Sequence, residues 1–390
     1  MEDNSTFRKA FSSWRIALAI LLGLGIASWM MYRSLDQVHF VEVQTGTGTH
    51  TWIDANNDGV VNSSDVTEFK QDTSGNYRKQ KISDVLSEIN WTFHSLIWIA
   101  LSIVFMVGRD WGYILRIRIL TKKKLTRKQS FNVIMLWEFA SALSPGVIGG
   151  TAVAMFILNK EKIALGRSTA IVVITAMMDN LFYVLMVPLV FLFIAPSDLF
   201  PSQTGAQQSV EILFWTAYIL FSIVCLILIL SIFFFPQLIG TILGGLFSLP
   251  FLKKYKPKAL KTGEEIVVAS NELKNEPFSF WMNTFFATAL SWISRFLVIN
   301  CILAAFLSLN IFNHFFILGK QLILWLVMRI SPTPGGSGIA EYAFGELMMG
   351  LGGSALLLAA LALIWRLISY FPYLFIGAFI LPRWLRKNDL

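Results

Sequence analysis

The sequence predicts an all-α polytopic membrane protein, with six full membrane spans and two re-entrant broken hairpins arranged as an inverted repeat. Of its 390 residues, 55% are hydrophobic and only 14% are charged, whereas soluble domains carry about 25% charged residues. Two apolar stretches are interrupted at their centres by proline and clustered glycines. The formal net charge of +8 arises from basic residues beside apolar runs, where they orient a chain in a bilayer. This placement favours a membrane lipid as the partner and argues against nucleic acid.

Six apolar segments are long enough to cross the hydrocarbon core, which takes about 20 residues of helix. In chain order they are Trp14–Tyr32, Trp91–Gly108, Thr169–Ala195, Ile212–Phe235, Phe280–Leu309 and Ser354–Leu381. The first of them lacks a small-residue cleavage site, so we interpret it as a retained span and not as a signal peptide. The stretch Gln237–Leu252 is too short to span and is expected to form an interfacial helix.

Lysine and arginine in short loops mark the cytoplasmic side of a membrane protein. The second span is followed by Arg109, Arg116 and Arg118, which we assign to a cytoplasmic loop together with the lysines after them. Other basic groups lie at residues 8–9, 160–167, 253–261 and 383–387. The connection Pro196–Gln208 carries no basic residue and is expected to face outward. These charges predict a multi-pass protein of the inner (cytoplasmic) membrane with both termini in the cytoplasm.

The two broken segments are Ser144–Gly150 (Ser-Pro-Gly-Val-Ile-Gly-Gly) and Ser331–Gly338 (Ser-Pro-Thr-Pro-Gly-Gly-Ser-Gly). Proline removes a backbone donor and glycine adds flexibility, so neither segment is expected to be a continuous helix. Non-helical backbone at membrane depth is tolerated where protein buries it or where it lines a wet cavity. Paired breaks in two halves of a chain point to a transport site.

The charge map gives the two broken segments opposite directions. Phe131–Leu158 begins and ends among cytoplasmic charges, so we expect it to enter from the cytoplasm, turn and return. Ile311–Gly353 lies between a span that exits and a span that re-enters, so we expect it to dip in from outside. This arrangement is an inverted repeat whose hairpins meet near the midplane. The alternative is that both segments are kinked full spans, which gives eight crossings with the same termini.

The second break belongs to the motif Ser331-Pro-Thr-Pro-Gly-Gly-Ser-Gly-Ile-Ala-Glu341. This motif resembles the flippase-like transmembrane domain of lysylphosphatidylglycerol synthases and of their stand-alone relatives. Pro145, Gly146, Asp179 and Arg366 also look like positions of that family. The resemblance covers most of the chain, so we expect one transmembrane domain over residues 1–390 with an insertion after the first span.

The resemblance implies translocation of a phospholipid or a polyprenyl-phosphate-linked lipid between leaflets. The family often has a Glu-Arg pair just before the position of Asp179, whereas this chain has Thr175 and Ala176, which weakens any transfer of a detailed charge network. Bifunctional members carry an aminoacyl-transferase domain after the membrane region, and with the chain ending at Leu390 we expect no enzymatic activity. No P-loop motif occurs in the sequence, so we expect no nucleotide cofactor.

Ionisable residues at membrane depth are costly unless they are paired or hydrated, so they are functional candidates. Arginine presents a planar fork of donors suited to phosphate and stays charged when buried. We therefore predict a head-group site where the two hairpins meet. Its predicted residues are Arg366, Arg295, Glu341, Asp179, Pro334, Gly335, Gly336, Gly338, Pro145 and Gly146. The alternative is that these charges pair with one another and hold the hairpins in place.

Residues 33–90 form a predicted extracytoplasmic insertion that contains a calcium-binding loop at 54–65. Oxygen side chains at loop positions 1, 3, 5, 9 and 12, with Gly59 at position 6, match such a loop. The pattern resembles a single dockerin-type loop. The predicted ligands are Asp54, Asn56, Asp58, Val60 (through its carbonyl), Asn62 and Asp65. We expect calcium to stiffen the insertion.

Two functions other than lipid translocation stay open at this level. The first is a polytopic transferase that uses a lipid carrier, although His39, His50, His94 and His314 are scattered and form no evident catalytic group. The second is a non-transporting membrane partner of a cell-envelope enzyme, with the calcium loop as the docking element. The sequence also leaves open whether the protein forms a homo-oligomer.

Overall fold

The computed structural model of the protein describes residues 32, 36, 38–56, 59, 61, 65–81, 84, 89, 91–144, 148–200, 206–235, 237–248, 254, 256–331, 333 and 335–388. The predicted first span, Trp14–Tyr32, lies outside these residues except for its last one. The following predicted site residues and calcium ligands also lie outside them: Pro145, Gly146, Pro334, Asp58, Val60 and Asn62.

Helices make up most of the described chain. They are α1 (Phe93–Leu120), α2 (Arg127–Leu143), α3 (Ile148–Lys160), α4 (Leu165–Phe191), α5 (Pro196–Leu199), α6 (Ala206–Phe233), α7 (Leu238–Leu246), α8 (Lys256–Leu273), α9 (Phe278–Phe306), α10 (Ile311–Ile330), α11 (Ile339–Met348), α12 (Ala355–Ser369) and α13 (Phe371–Lys387). Six segments of these helices are long and apolar enough to cross a membrane: Phe93–Leu120, Leu165–Phe191, Glu211–Phe233, Phe278–Phe306, Ile311–Arg329 and Ala355–Lys387. The prediction of a helical polytopic membrane protein is therefore confirmed.

Five of these six segments correspond to the second to sixth predicted spans. The last predicted span is built from α12 and α13, which join at Tyr370. The additional segment, Ile311–Arg329, belongs to α10, which the sequence assigns to the first arm of the second hairpin. Between α6 and α8, the nine-residue α7 is too short to cross, as predicted.

The helix that follows each predicted break is too short to cross a membrane alone. After the first break comes α3 with 13 residues, and after the second comes α11 with 10. At 1.5 Å per residue these helices are about 20 Å and 15 Å long, whereas the hydrocarbon core is about 30 Å thick. Neither helix can therefore complete a crossing by itself.

The second span is longer than the sequence predicts, because α1 continues past Gly108 to Leu120. The assignment of Arg109, Arg116 and Arg118 to a cytoplasmic loop is therefore wrong. Arg109 and Arg116 are only 1% and 5% exposed. Carboxylates from other helices pair with both, so the helix continues through these positions with its charges neutralised.

Helix α1 packs most extensively against α9, and small residues make this contact close. A Cβ added at Gly112 would lie 2.8 Å from the Ser291 backbone nitrogen and 2.9 Å from the Ala287 carbonyl oxygen. The Ser291 hydroxyl donates a hydrogen bond of 2.8 Å to the carbonyl of Arg109. Small residues at membrane helix interfaces permit such backbone approach, and here they set the separation of two helices that flank the central cavity.

The predicted insertion contains an antiparallel sheet that the sequence did not predict. Its strands are β1 (Val38–Glu42), β2 (Gly48–Trp52), β3 (Phe69–Gly75) and β4 (Tyr77–Lys81), in the order β1-β4-β2-β3. Phe40 and Phe69 stack with their ring centroids 4.0 Å apart and form its small core. Val41 of β1 packs against Leu356, Ala360 and Leu363 of α12, so the sheet is docked on the membrane-spanning helices.

Candidate functional site

A cavity of about 370 Å³ lies at the centre of the helical part of the protein. Its walls come from α1, α2, α3, α4, α9, α10, α12 and α13. Residues on both sides of the first break, Ser144 and Thr151, line it, and so do Gly335 and Gly336 of the second break. The charged side chains on its walls are Arg109, Glu138, Asp179, Arg295, Arg329 and Arg366. The volume falls within the range of ordinary ligand pockets.

Arg366 connects α12 to the second break. Its Nε lies 2.9 Å from Glu341 Oε1, and its Nη2 donates to the Gly335 carbonyl at 2.8 Å and to the Ser337 hydroxyl at 2.9 Å. The guanidinium also lies 4.0 Å from the ring centroid of Tyr370. Most of the donor capacity of Arg366 is thus engaged by the protein, although the side chain borders the cavity.

Glu341 lies at the N-terminus of α11, where a carboxylate meets the positive end of the helix dipole. Its Oε2 accepts a hydrogen bond of 2.6 Å from the Gly338 backbone nitrogen, and its Oε1 faces Arg366. Gly338 has φ = 84°, a left-handed conformation that favours glycine. Both residues stand beside the cavity and not on its walls. Their contacts hold the end of the second break in place.

Tyr370 connects the two broken segments. Its hydroxyl donates to the carbonyl of Ala142, two residues before Ser144, at 3.1 Å. Its ring lies so close to Gly335 that a Cβ there would overlap it. Gly335 also has φ = 59°. The last turn of α2 and the second break therefore meet at one aromatic residue between α12 and α13.

Arg109 forms a second buried group of charges between α1, α2 and α13. Its guanidinium lies 2.7 Å from Glu138 and 3.1 Å from Asp110. The hydroxyl of Tyr373 bonds both Arg109 and Asp110. A buried arginine needs such partners, because an unpaired charge away from water is strongly unfavourable. This group attaches the first arm of the first hairpin to the end of the chain.

Asp179 belongs to a third group of charges, formed by α1, α4 and α9. Arg116 Nη1 lies 2.5 Å from Asp179 Oδ1 and 3.2 Å from the Thr288 hydroxyl. The indole of Trp292 donates to the same carboxylate oxygen at 2.9 Å. Asp179 is thus neutralised by an arginine that the sequence had assigned to a loop.

Arg295 and Arg329 differ from the other cavity arginines. Among the described residues, neither makes an ion pair. Arg295 lies over the ring of Trp292 at 4.7 Å, and Arg329 lies over the ring of Trp325 at 4.8 Å. The two indoles contact each other with centroids 5.4 Å apart. Each of the two guanidinium groups therefore contacts one ring of an aromatic pair on the cavity wall.

The structure brings most of the described predicted site residues together. Arg366, Arg295, Asp179, Gly335 and Gly336 line the cavity, with Glu341 and Gly338 beside it. Sequence reasoning missed the roles of Arg109, Arg116 and the aromatic residues Trp292, Trp325, Tyr370 and Tyr373. Arg109, Tyr113 and Arg116 are spaced i, i+4 and i+7, which indicates one face of a helix. That spacing was the available signal that α1 continues.

Three of the six predicted calcium ligands, Asp54, Asn56 and Asp65, lie in the described chain. Gly59 has φ = 70°, which suits the glycine that the sixth loop position requires, and its backbone nitrogen donates to Asp54 Oδ2 at 3.0 Å. Asp65 accepts from the Thr67 backbone nitrogen at 2.9 Å, and hydrogen bonds from Thr67 lower the pKa of Asp65.

Other contacts of the loop point towards the sheet. Asn56 donates to the buried Glu68 at 2.7 Å, and Trp52 donates to the same carboxylate at 3.2 Å. Within the described residues there is no cluster of three or more His, Cys, Asp or Glu side chains suited to a metal. The turn at Gly59 thus fits the predicted loop, and the Asn56 amide group binds a protein carboxylate.

Two comparisons with known proteins give matches, and both matches are to membrane proteins. The family model described as the lysylphosphatidylglycerol synthase TM region matches residues 77–377. A protein described as a UPF0104 membrane protein, from Archaeoglobus fulgidus, is 24% identical over 301 residues, which covers 75% of this chain and 89% of that relative. No solved structure matches the chain.

Proposed function

The chain belongs to the family of the lysylphosphatidylglycerol synthase transmembrane region, and from this premise we propose that it translocates a lipid between the leaflets of the membrane. The head group passes through the central cavity while the acyl chains remain in the bilayer. The observation that carries the proposal is this cavity, which borders both broken segments and presents Arg295 and Arg329, two arginines without an ion pair among the described residues. A phospholipid or a polyprenyl-phosphate-linked lipid supplies the anion that such arginines bind.

The packing of the helices supports the inverted repeat that translocation requires. The first arm of the first hairpin, α2, packs against α13, which follows the second hairpin. The first arm of the second hairpin, α10, packs against α4, which follows the first hairpin. The equivalent helices α1 and α9 pack against each other. Equivalent elements thus make equivalent contacts, as two repeats around a shared midplane site do.

The charged residues divide into two roles in this proposal. The groups around Arg109, Asp179 and Arg366 hold helices and breaks in position through ion pairs. We assign the phosphate to Arg295 and Arg329, because their donors are not engaged by described carboxylates and their guanidinium groups lie over the rings of Trp292 and Trp325.

The proposal places the protein in the inner membrane with both termini in the cytoplasm. Lys122, Lys123 and Lys124 follow α1 directly, and basic residues near a span favour the cytoplasmic side. The sheet precedes α1 in the chain and so lies on the opposite side. The sequence contains no P-loop, so we propose transport that is passive or driven by a gradient. The matched family region is a membrane domain, so transport and not catalysis is proposed.

We also propose that residues 54–65 bind calcium in the outer insertion. The support is the left-handed Gly59 and the hydrogen bond from its backbone nitrogen to Asp54. Calcium would bind oxygen ligands from several positions of the loop and so stiffen a polar segment that has only a small hydrophobic core. It is a structural ion in this proposal and takes no part in lipid movement.

Leaflet-resolved lipid labelling in cells that lack the protein tests the proposed function. We expect one lipid class to shift its distribution between leaflets and to be restored by the wild-type protein. The variant Arg295→Gln/Arg329→Gln should fail to restore it. Arg383→Gln is the matched control, since Arg383 also lies over an aromatic ring, that of Phe379, but away from the cavity. An unchanged distribution of every lipid class in the deleted strain would contradict the proposal.

A further inference from the structure

The charged residues around the cavity indicate which kind of head group the cavity accepts. We propose that the ligand is a phosphate ester of net negative charge and that the cavity rejects aminoacylated, cationic head groups. This inference rests on the proposed function, because it names the substrate class of the same site. It depends on which charges are already neutralised by the protein and which are not.

Positive charges outnumber negative ones at the cavity. The arginines that line it, or the small adjoining cavity of about 80 Å³, are Arg109, Arg116, Arg295, Arg329 and Arg366. The carboxylates that pair with them are Asp110, Glu138, Asp179 and Glu341. Five positive charges against four negative ones leave a formal excess of +1. One phosphodiester neutralises this excess, whereas a head group of net charge +1 doubles it.

Each of these carboxylates is already paired with an arginine. Asp110 and Glu138 are both bound by Arg109. Asp179 is bound by Arg116 and by the Trp292 indole. Glu341 is bound by Arg366 and by the Gly338 backbone nitrogen. An ammonium group that entered the cavity would therefore meet carboxylates whose charges are already balanced by arginines, and it would add to the positive excess.

Within the described part of the chain, the cavity arginines that make no ion pair are Arg295 and Arg329. Asp110 acts electrostatically on Arg295, and Asp179 acts on Arg329, but both carboxylates are held by other arginines. The guanidinium carbons lie 4.7 Å and 4.8 Å from the ring centroids of Trp292 and Trp325, and such cation–π contacts do not consume the N–H donors. Each arginine offers five donors, and the described protein supplies no carboxylate for them. A phosphate group in the cavity would supply the anionic acceptor that both arginines lack among the described residues.

Aromatic contacts hold the two arginines in place. Trp292 and Trp325 contact each other edge to face at 84°, and each arginine lies over one ring of this pair. Trp292 is anchored through its indole nitrogen to Asp179. Arg329 also lies 4.8 Å from the ring of Phe221 on α6. Both charges are therefore held at the cavity by the protein before a ligand arrives, which favours an anionic head group over a cationic one.

Native mass spectrometry of the full-length protein in detergent tests the inference. The probes are phosphatidylglycerol, phosphatidylethanolamine and lysylphosphatidylglycerol with the same acyl chains, and soluble glycerol 3-phosphate. We expect phosphatidylglycerol to be retained at least about tenfold more strongly than lysylphosphatidylglycerol, because like charges in an enclosed site are strongly disfavoured. Phosphatidylethanolamine should fall between them. Glycerol 3-phosphate should be retained more weakly than phosphatidylglycerol.

Variants identify the residues that are responsible. Arg295→Gln/Arg329→Gln should lose the preference for phosphatidylglycerol, and Arg383→Gln should keep it. Arg295→Lys/Arg329→Lys retains the charge without the planar fork, so it should keep the order of preference with weaker binding. This charge-conserving variant keeps the test valid if the glutamine variant fails to fold, which its melting temperature reports.

Three results would overturn the inference. Equal retention of lysylphosphatidylglycerol and phosphatidylglycerol would show that charge does not select the head group. Retention of glycerol 3-phosphate equal to that of phosphatidylglycerol would assign the site to a soluble anion. An unchanged preference in the folded glutamine variant would remove Arg295 and Arg329 from the site. The first result leaves lipid translocation intact, since transport is measured separately, so the failure of this inference and that of the proposed function are distinguishable.

Discussion

The guanidinium of Arg366 lies 2.9 Å from the carboxylate of Glu341, and this pair joins α12 to the first turn of α11 across the second break. Arg366 is 2% exposed, while the Glu341 side chain is 23% exposed. The same two side chains bond the backbone of Gly335 and Gly338. One ion pair therefore holds both sides of a non-helical segment that borders the cavity.

Glu341→Ala should destabilise the protein by about 3–5 kcal/mol, because it leaves the buried guanidinium of Arg366 without its carboxylate. The double variant Glu341→Leu/Arg366→Met should be less destabilised than the sum of the single changes. The melting temperature in detergent micelles measures both. The exposed pair of Lys81 and Asp36 is the control, and Lys81→Ala should change stability by less than about 1 kcal/mol. Equal effects of Glu341→Ala and Lys81→Ala would contradict the assigned role.

Gly335→Ala should destabilise the second break by about 1–3 kcal/mol, since left-handed backbone and overpacking are each unfavourable for a residue with a Cβ. The added methyl would overlap the ring of Tyr370. Gly345→Ala, within α11, is the matched control, because no atom lies within 4 Å of the new methyl group and alanine favours helix. A melting temperature that falls for Gly345→Ala and not for Gly335→Ala would refute the packing described at Tyr370.

Calcium should raise the stability of the outer insertion. With a dissociation constant of about 10⁻⁴–10⁻³ M, calcium at about 10 mM would stabilise the folded loop by about 1.4–2.7 kcal/mol. Hydrogen exchange of residues 38–81 with and without calcium measures this. Asp54→Ala should abolish the difference, and Glu42→Ala, a carboxylate of β1 outside the loop, should preserve it. Exchange that is the same with calcium and with chelator would show that the loop binds no calcium.

The sheet should lose stability as the pH falls. Both ring nitrogens of His39 are buried and lack a hydrogen-bond partner among the described residues, and burial lowers the pKa of His39. His39 therefore binds a proton more readily in the unfolded segment than in the folded sheet. The free energy of unfolding keeps its full value above the ordinary histidine pKa of about 6.5 and declines as the pH falls below it. Hydrogen exchange of residues 38–81, corrected for intrinsic rates, should therefore be faster at pH 5 than at pH 7.

His39→Gln should flatten this pH dependence, because glutamine carries no titrating group. His94→Gln is the control, since His94 lies on α1 outside the sheet and bonds Trp98. If His39→Gln retained the full acceleration at low pH, another group would be responsible.

The membrane-spanning helices were predictable because hydropathy depends on local sequence. Most of the ion pairs could not be predicted from the sequence, because each of them joins residues far apart in the chain. Arg116 and Asp179 are 63 positions apart, and Arg109 and Glu138 are 29 apart. The predicted span was ended at Gly108, before the first arginine, and was therefore shorter than α1. The sheet was missed for a related reason, since its core residues Phe40 and Phe69 meet only after a long connection.

The location of the site was easier to predict than the roles within it. Proline and glycine mark a break wherever they interrupt an apolar run, so the segments around Gly335 and Ser144 were visible in the sequence. Whether an arginine is paired or available depends on which carboxylates the fold brings near. Arg366 and Arg295 were both predicted to bind the head group. In the structure Arg366 is paired with Glu341, whereas Arg295 has no ion pair with any residue that the structure describes.

The most direct test of the central claim is lipid movement in proteoliposomes that contain the purified protein and a fluorescent phosphatidylglycerol. Quenching of the outer leaflet at successive times gives the rate of translocation. We expect the wild-type protein and Arg383→Gln to move the lipid at rates within about twofold of each other, and Arg295→Gln/Arg329→Gln to be slower by at least about tenfold, because the phosphate then lacks both of its unpaired guanidinium partners. Equal rates for the wild-type and the double variant, with both folded, would contradict the account.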